Sequence, residues 1–148
     1  MKKIFGAILI VLTFLCLYIP CFAEDDGWLE NLDEGIKQAK KDNKRVFVDF
    51  TATWCKWCLK LKDDVFSKDN FKNYARENLV LVSIDADQNR ELVDKYQVNG
   101  FPTMFILDSE GKVLATIAGY IGLEACLEQI KATENAGKKE SSKSPKKQ

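Results

Sequence analysis

The chain contains no histidine. That absence removes the commonest general base, the cysteine–histidine dyad, the usual serine triads and every zinc site that needs an imidazole. Proline is scarce as well, with three residues in 148, while 46% of the chain is hydrophobic. Collagen-like, mucin-like and wholly disordered classes are thereby excluded, and one ordinary core is affordable. No internal repeat and no nucleotide or flavin motif is visible, so no bound cofactor and no metal is expected. Excess charge is missing too: 22 basic residues balance 22 acidic ones.

That balance is a sum over unlike segments. Residues 1–23 read as an export signal, with Lys2 and Lys3 before an apolar run that Pro20 closes, and Ala23 as a small residue before the acidic Glu24-Asp25-Asp26. An uncleaved anchor is the alternative, because residues 4–23 could just span a bilayer. At the other end, residues 137–148 carry five lysines among Ser, Pro and Gly with almost nothing to bury, and read as a disordered basic tail. It reads either as a solubilising segment or as a basic arm that touches a membrane or acidic partners. Setting both ends aside leaves a body, 24–136, with 15 basic and 21 acidic residues. An acidic body without interleaved basic and aromatic residues argues against nucleic acid as a partner.

Within the body, hydrophobic periodicity alternates between two and 3.6 residues. Residues 28–30 read as a short edge strand. Asn31 is an N-cap by its spacing to Glu34, opening a helix that buries Leu32, Ile36 and Ala39. Residues 45–50 are a β-branched and aromatic run, the pattern of a buried central strand. Cys55 to Val65 reads as a helix, with a second, shorter helical piece around Phe71, Tyr74 and Ala75. A buried strand over 79–85, a helix over 91–96, a strand over 103–107, a turn at 108–111, a strand over 113–117 and a helix over 123–132 complete the order. The fold class is α/β, βαβαβαββα, with a mixed central sheet and helices on both faces.

Trp54-Cys55-Lys56-Trp57-Cys58 carries the chemistry. A cysteine at a strand-to-helix junction sits among unpaired N–H groups, where the helix dipole favours the thiolate over the thiol. Lys56 adds a positive charge, and Trp54 and Trp57 add apolar surface. Cys55 is the expected nucleophile toward a substrate disulfide and Cys58 the resolving thiol. A zinc half-site lacks partners, since only Cys126 remains in the body. A purely structural disulfide would close too short a loop to constrain the chain much. Cys126, at core-facing spacing on the last helix, reads as an inert buried thiol, with a regulatory or intermolecular role as the alternative.

From Val46 to Leu127 the chain resembles a thioredoxin-fold domain. Three separated features carry the resemblance: Asp49 six residues before Cys55, the Cys-x-x-Cys pair, and Phe101-Pro102-Thr103. Gly100, Gly111 and Gly119 also fall where that family has glycines. The likeness is greatest to small secreted thioredoxins and to the C-terminal domain of the bacterial thiol:disulfide interchange reductase. It implies a Cys55–Cys58 disulfide, a cis Pro102 whose loop shapes a substrate groove, and Thr103 offering backbone hydrogen bonds. Trp54, Lys56, Trp57, Phe101, Pro102 and Thr103 would then be substrate-binding, and Asp49 would be a buried acid passing protons to and from Cys58. A solvent-facing Asp49 at a strand end is the other reading.

The chain departs from the family in three places. Lys56-Trp57 stands where thioredoxins have Gly-Pro, Leu81 stands where many place a lysine beside the acid, and Thr51 replaces an aromatic. The expected function is an exported, periplasmic or secreted thiol–disulfide oxidoreductase. As a reductant it would act on protein disulfides, be recharged by an upstream thiol donor, stay monomeric, and have no membrane span once the signal is removed. An oxidase or isomerase of the same fold, and a non-catalytic peptide-binding module, are the alternatives.

Overall fold

A computed structural model of the protein describes residues 27–134. The expected export signal at 1–23 and basic tail at 137–148 lie outside the described residues. Strand β1 (Trp28–Leu29) leads into helix α1 (Leu32–Asp42) and central strand β2 (Arg45–Thr51). Helix α2 (Lys56–Leu61) passes directly into a π-helical turn (Lys62–Phe66), followed by α3 (Asp69–Asn78) and β3 (Leu79–Asp85). Helix α4 (Arg90–Lys95), the β4–β5 hairpin (Thr103–Leu107 and Val113–Ala118) and α5 (Leu123–Ala132) complete the chain. The sheet runs β1-β3-β2-β4-β5, with β1, β3 and β2 parallel and β4 and β5 antiparallel to their neighbours. Among the described residues no helix is long and apolar enough to cross a membrane.

The alternation of β2 divides the core in two. Val46, Val48 and Phe50 face a layer with Leu32 and Ala39 of α1, onto which Leu92 and Val93 of α4 and Tyr96 at its end pack. Phe47 faces the opposite layer, built from Leu61, Val65 and Phe66 below α2, Phe71 and Ala75 of α3, and Cys126 and Ile130 of α5. Helices therefore cover both faces, and the strand between them is buried over all but its end residues. Four aromatic rings lock the second layer: Phe47 meets Phe66 and Phe71 edge-on at 5.7 and 5.6 Å, and Trp28 stacks on Phe66 at 5.1 Å.

The local signals act as expected at most ends. Asn31 Oδ1 accepts from Glu34 N–H at 3.0 Å and caps α1, while Lys40 and Lys41 lie in its last turn, at the negative pole. Asp108 Oδ1 accepts from the N–H groups of Glu110 and Lys112, and Gly111 takes φ +85°, closing the hairpin turn. A Cβ at Gly111 would also press on Ile36 of α1.

One expectation is corrected. The cysteine helix does not run on as α-helix to Val65; from Lys62 its ladder widens, and Ser67 N–H donates to Lys62 C=O at 2.9 Å, five residues back. Adjacent Val65 and Phe66 are both buried. The wider turn accommodates one extra residue within the helix while Val65 and Phe66 stay in the core. The second helical piece is also longer than expected, at ten residues.

Arg45, at the start of β2, ties the last helix down. Its guanidinium donates to Ile130 C=O at 2.6 Å, to Thr133 Oγ1, and to Tyr74 Oη at 2.8 Å. A cation at the C-terminal end of α5 sits at the helix's negative pole and adds to the Thr133 N–H and hydroxyl that already meet the Ile130 carbonyl. Arg45→Met keeps the aliphatic stem but loses these bonds, and should cost about 2 kcal/mol in urea unfolding; an unchanged midpoint would show that the clamp contributes nothing.

Candidate active site

Strand β2 ends at Thr51, and the chain turns sharply, with Cys55 N–H donating to Ala52 C=O at 3.0 Å. The turn makes Cys55 the N-cap of α2: its Sγ accepts the N–H of Cys58 at 3.1 Å. Ser, Thr, Asp and Asn usually hold this position, and here sulfur does their work. Cys55 and Cys58 are joined as a disulfide with Cα atoms 5.3 Å apart, both nearly buried against Ala52 and Phe101.

The predicted rim residues gather around this pair. The Phe101–Pro102 bond is cis. Pro102 is buried, and its C=O accepts from Gly119 N–H at 2.8 Å, which joins the proline loop to the β5–α5 connection. Thr103 is buried as well, with its hydroxyl donating to Gly100 C=O at 2.7 Å and its strand paired to Phe50 and Ala118. Phe101 is half-buried and meets Trp54 edge-on at 5.9 Å. Trp54 and Trp57 are 65% and 58% exposed, values far above those usual for such large rings, and Lys56 is exposed between them.

Asp49 lies in β2, opposite Ser83 of β3 and Met104 of β4. It is 7% exposed, and its Oδ1 has no hydrogen-bond partner among the described residues. Burial pushes its carboxyl up from 3.8 to about 7. Asp49 and Cys58 line a common cleft of about 340 Å³ that Trp28, Glu30 and Lys62 border. The solvent-facing alternative for Asp49 is thus excluded. Leu81 lies two residues before Ser83 along β3, opposite Phe47, and packs with the apolar layer. Cys126 is fully buried, and desolvation first, then Asp49, pushes its thiol up to about 12, as suits an inert side chain.

Four further side chains at the site escaped the sequence reading. Tyr120 stacks on Trp57 with centroids 5.5 Å apart, and its hydroxyl donates to Asp64 Oδ2 at 2.8 Å. Lys60 donates to the same oxygen at 2.6 Å and stands 5.4 Å over the Tyr120 ring. Its hydrogen bond holds the Asp64 carboxyl below the ordinary range, and Asp64 in turn raises the Tyr120 phenol. Asp87 accepts from Trp54 Nε1 at 2.9 Å. Only the i,i+4 spacing of Lys60 and Asp64 was visible beforehand, and it looks like any solvated helix pair.

Comparison with known proteins gives a consistent picture. The sequence model of a family described as "Thioredoxin-like domain" matches residues 32–134. A "Disulfide bond reductase DsbH" of Chlamydia pneumoniae is 34% identical over 108 residues, which cover 65% of this chain and 64% of that protein. "Thioredoxin H3" of Arabidopsis thaliana is 32% identical over 103 residues, 68% of this chain and 77% of its own length. Among solved structures, one titled "DsbH Oxidoreductase" superposes with a TM-score of 0.64 at 30% identity, covering 72% of this chain and 83% of that one.

A buried acid whose pKa rises on folding binds its proton more tightly in the folded chain. The stability it carries is complete below pH 3.8 and is lost as pH climbs through about 7. In the oxidised protein, Asp49→Asn should therefore gain on wild type by on the order of 4 kcal/mol between pH 4 and pH 8 in denaturant titrations. A gap that does not change with pH would mean that Asp49 is not desolvated.

Proposed function

The chain belongs to the thioredoxin-like family of thiol–disulfide oxidoreductases, and on that footing we propose that it is an exported reductant of protein disulfides. The observation that carries the reading is the Cys55 sulfur capping α2. The N–H that meets it at 3.1 Å would meet a thiolate more strongly still, because hydrogen bonds to an anion are the stronger kind. Added to the dipole of the helix and the positive charge of Lys56, this favours the reactive form of Cys55 without a histidine.

The cycle uses the two sulfurs and one carboxyl. Cys55 thiolate attacks one sulfur of a substrate disulfide, forming a mixed disulfide and expelling the other substrate sulfur as a thiolate. Asp49, ionised at neutral pH in part and facing the cleft it shares with Cys58, takes the Cys58 proton through solvent in that cleft. Cys58 thiolate then attacks Cys55 Sγ, closing the Cys55–Cys58 disulfide and releasing the second substrate thiolate. Two electrons have passed to the substrate, and an external dithiol returns them to the enzyme. Phe101, Pro102 and Thr103, with Trp54, Lys56 and Trp57, form the surface on which the substrate rests. Thr103 contributes through the loop it anchors, since its own hydroxyl is turned inward to Gly100.

Export rests on the basic and apolar pattern of residues 1–23, and the likeness to a disulfide bond reductase supports the reductive direction. The family match at 32–134 falls inside the proposed domain, 24–136, with a signal before it and a basic tail after it. A monomer is the proposed working form.

Cys55→Ser should abolish reduction of insulin disulfides with dithiothreitol, whereas Cys58→Ala should accumulate mixed disulfides with its substrates. Undiminished activity in the Cys55→Ser protein would point to a non-catalytic binding module. A reduction potential near −270 mV is expected for a reductant; one near about −120 mV would reassign the chain as an oxidase.

A further inference from the structure

Four cations line one hollow of about 450 Å³ beside the edge strand β1: Lys44 before β2, Lys62 in the π turn, and Lys72 and Arg76 of α3. Among the described residues no carboxylate lines it. In a body whose 21 acids outnumber its 15 bases, that is an uneven distribution. Lys40, Arg45 and Lys60 each meet a carboxylate, whereas the side chains of Lys62, Lys72 and Arg76 meet none among the described residues. Lys44 is engaged in part. Its Nζ donates to Arg76 C=O at 2.7 Å, and an ammonium so placed keeps two further donors. Lys72 and Arg76 stand one helical turn apart on one face of α3, so their charges add at the same place.

The chain itself carries acid to this place. Gly27 lines the hollow, and Glu24-Asp25-Asp26 directly precede it in sequence. Strand β1 runs parallel to β3 with Trp28 opposite Leu81, so the chain enters β1 from the side of Leu79, where α3 ends three residues after Arg76. Gly27 takes φ +69°, which turns the chain out of the strand and leaves Leu79 and Val80 without a strand partner on that edge among the described residues. Three residues span at most about 10 Å when extended, so the acidic run is tethered close to the cations. We propose that the hollow is the docking site of the run Glu24-Asp25-Asp26, whose carboxylates pair with Lys62, Lys72 and Arg76 and latch β1 to the sheet. A single exposed ion pair contributes little, but several charges on a short tether act as a network at high effective concentration. The latch does not rest on the redox reading, yet it adjoins the redox site: Trp28, Lys62 and Phe66 border both this hollow and the cleft of Asp49 and Cys58. Holding β1 keeps the Trp28 ring on Phe66, and with it one wall of that cleft.

Carbodiimide cross-linking of the full-length chain, mapped by mass spectrometry, reads the docking directly, because it joins a carboxylate to an amine only where they touch. The run should join Lys44, Lys62 and Lys72 about tenfold more often than Lys56 or Lys95, which do not line the hollow, and 1 M salt should erase the preference. No excess for the three pocket lysines overturns the inference. A charge cycle then tests the latch in urea unfolding at low salt. Lys72→Glu/Arg76→Glu should lower the folding equilibrium constant by about tenfold, and adding Glu24→Lys/Asp25→Lys/Asp26→Lys should restore it to within about threefold of wild type. A second set of changes that deepens the loss, or leaves it as it was, overturns the latch. Inorganic tripolyphosphate stands for the other occupant, a free anion. It should bind Glu24→Gln/Asp25→Asn/Asp26→Asn, which keeps every pocket residue, about tenfold more tightly than wild type, because the run no longer competes. Equal affinity for the two chains would make the hollow an open anion site and overturn the docking.

Discussion

Strand β2 is hydrogen-bonded along both edges and covered on both faces, and the geometry of the site follows from that confinement. A strand held by β3 on one side and β4 on the other has no freedom to slide or roll. Its last residue therefore delivers the chain to one point in space, where the Ala52–Cys55 turn sets the sulfur on the first turn of α2. The same confinement places a carboxyl where water reaches it poorly. A strand with one open face would have let Asp49 turn outward and keep its ordinary acidity.

Much of this is legible in the residues. A charge inside a run as apolar as Val46-Phe47-Val48-Asp49-Phe50 can only be buried if the run is, and alternation puts it on the face of Phe47, the side that α2 covers. Cys55 announces its position because a strand pattern stops before it and a helical pattern starts after it. Asn31 with Glu34, and Asp108 with Gly111, are short-range signals whose partners lie within four residues. Each of these depends on neighbours in the chain, and such dependence can be read directly.

What escaped depends on partners far away in sequence. Tyr120 and Asp64 are 56 residues apart, and Trp54 and Asp87 are 33 apart. Nothing local distinguishes Asp64 from the many solvated acids of an acidic body. The Arg45 clamp escaped for the same reason, since its acceptors lie 29 to 88 residues downstream. The π turn is a different case. The residues it buries, Val65 and Phe66, are apolar in the sequence, but periodicity counts how often apolar residues recur and says nothing about which carbonyl each N–H meets.

That turn has a consequence for how the chain tolerates change in length. A bond from Ser67 to Lys62 encloses one residue more than an α-helical bond would. The helical clock is therefore set back by one residue between the cysteines and α3. Deleting a single residue from 62–66 would let ordinary α-helix run through, restoring the clock and keeping the helix. Everything past the deletion would then keep close to its direction relative to Cys55, because the wide turn already absorbs one extra residue. The loss of one residue here should therefore be tolerated far better than the loss of one from the regular helix at 56–61, where each residue turns the chain by about 100°.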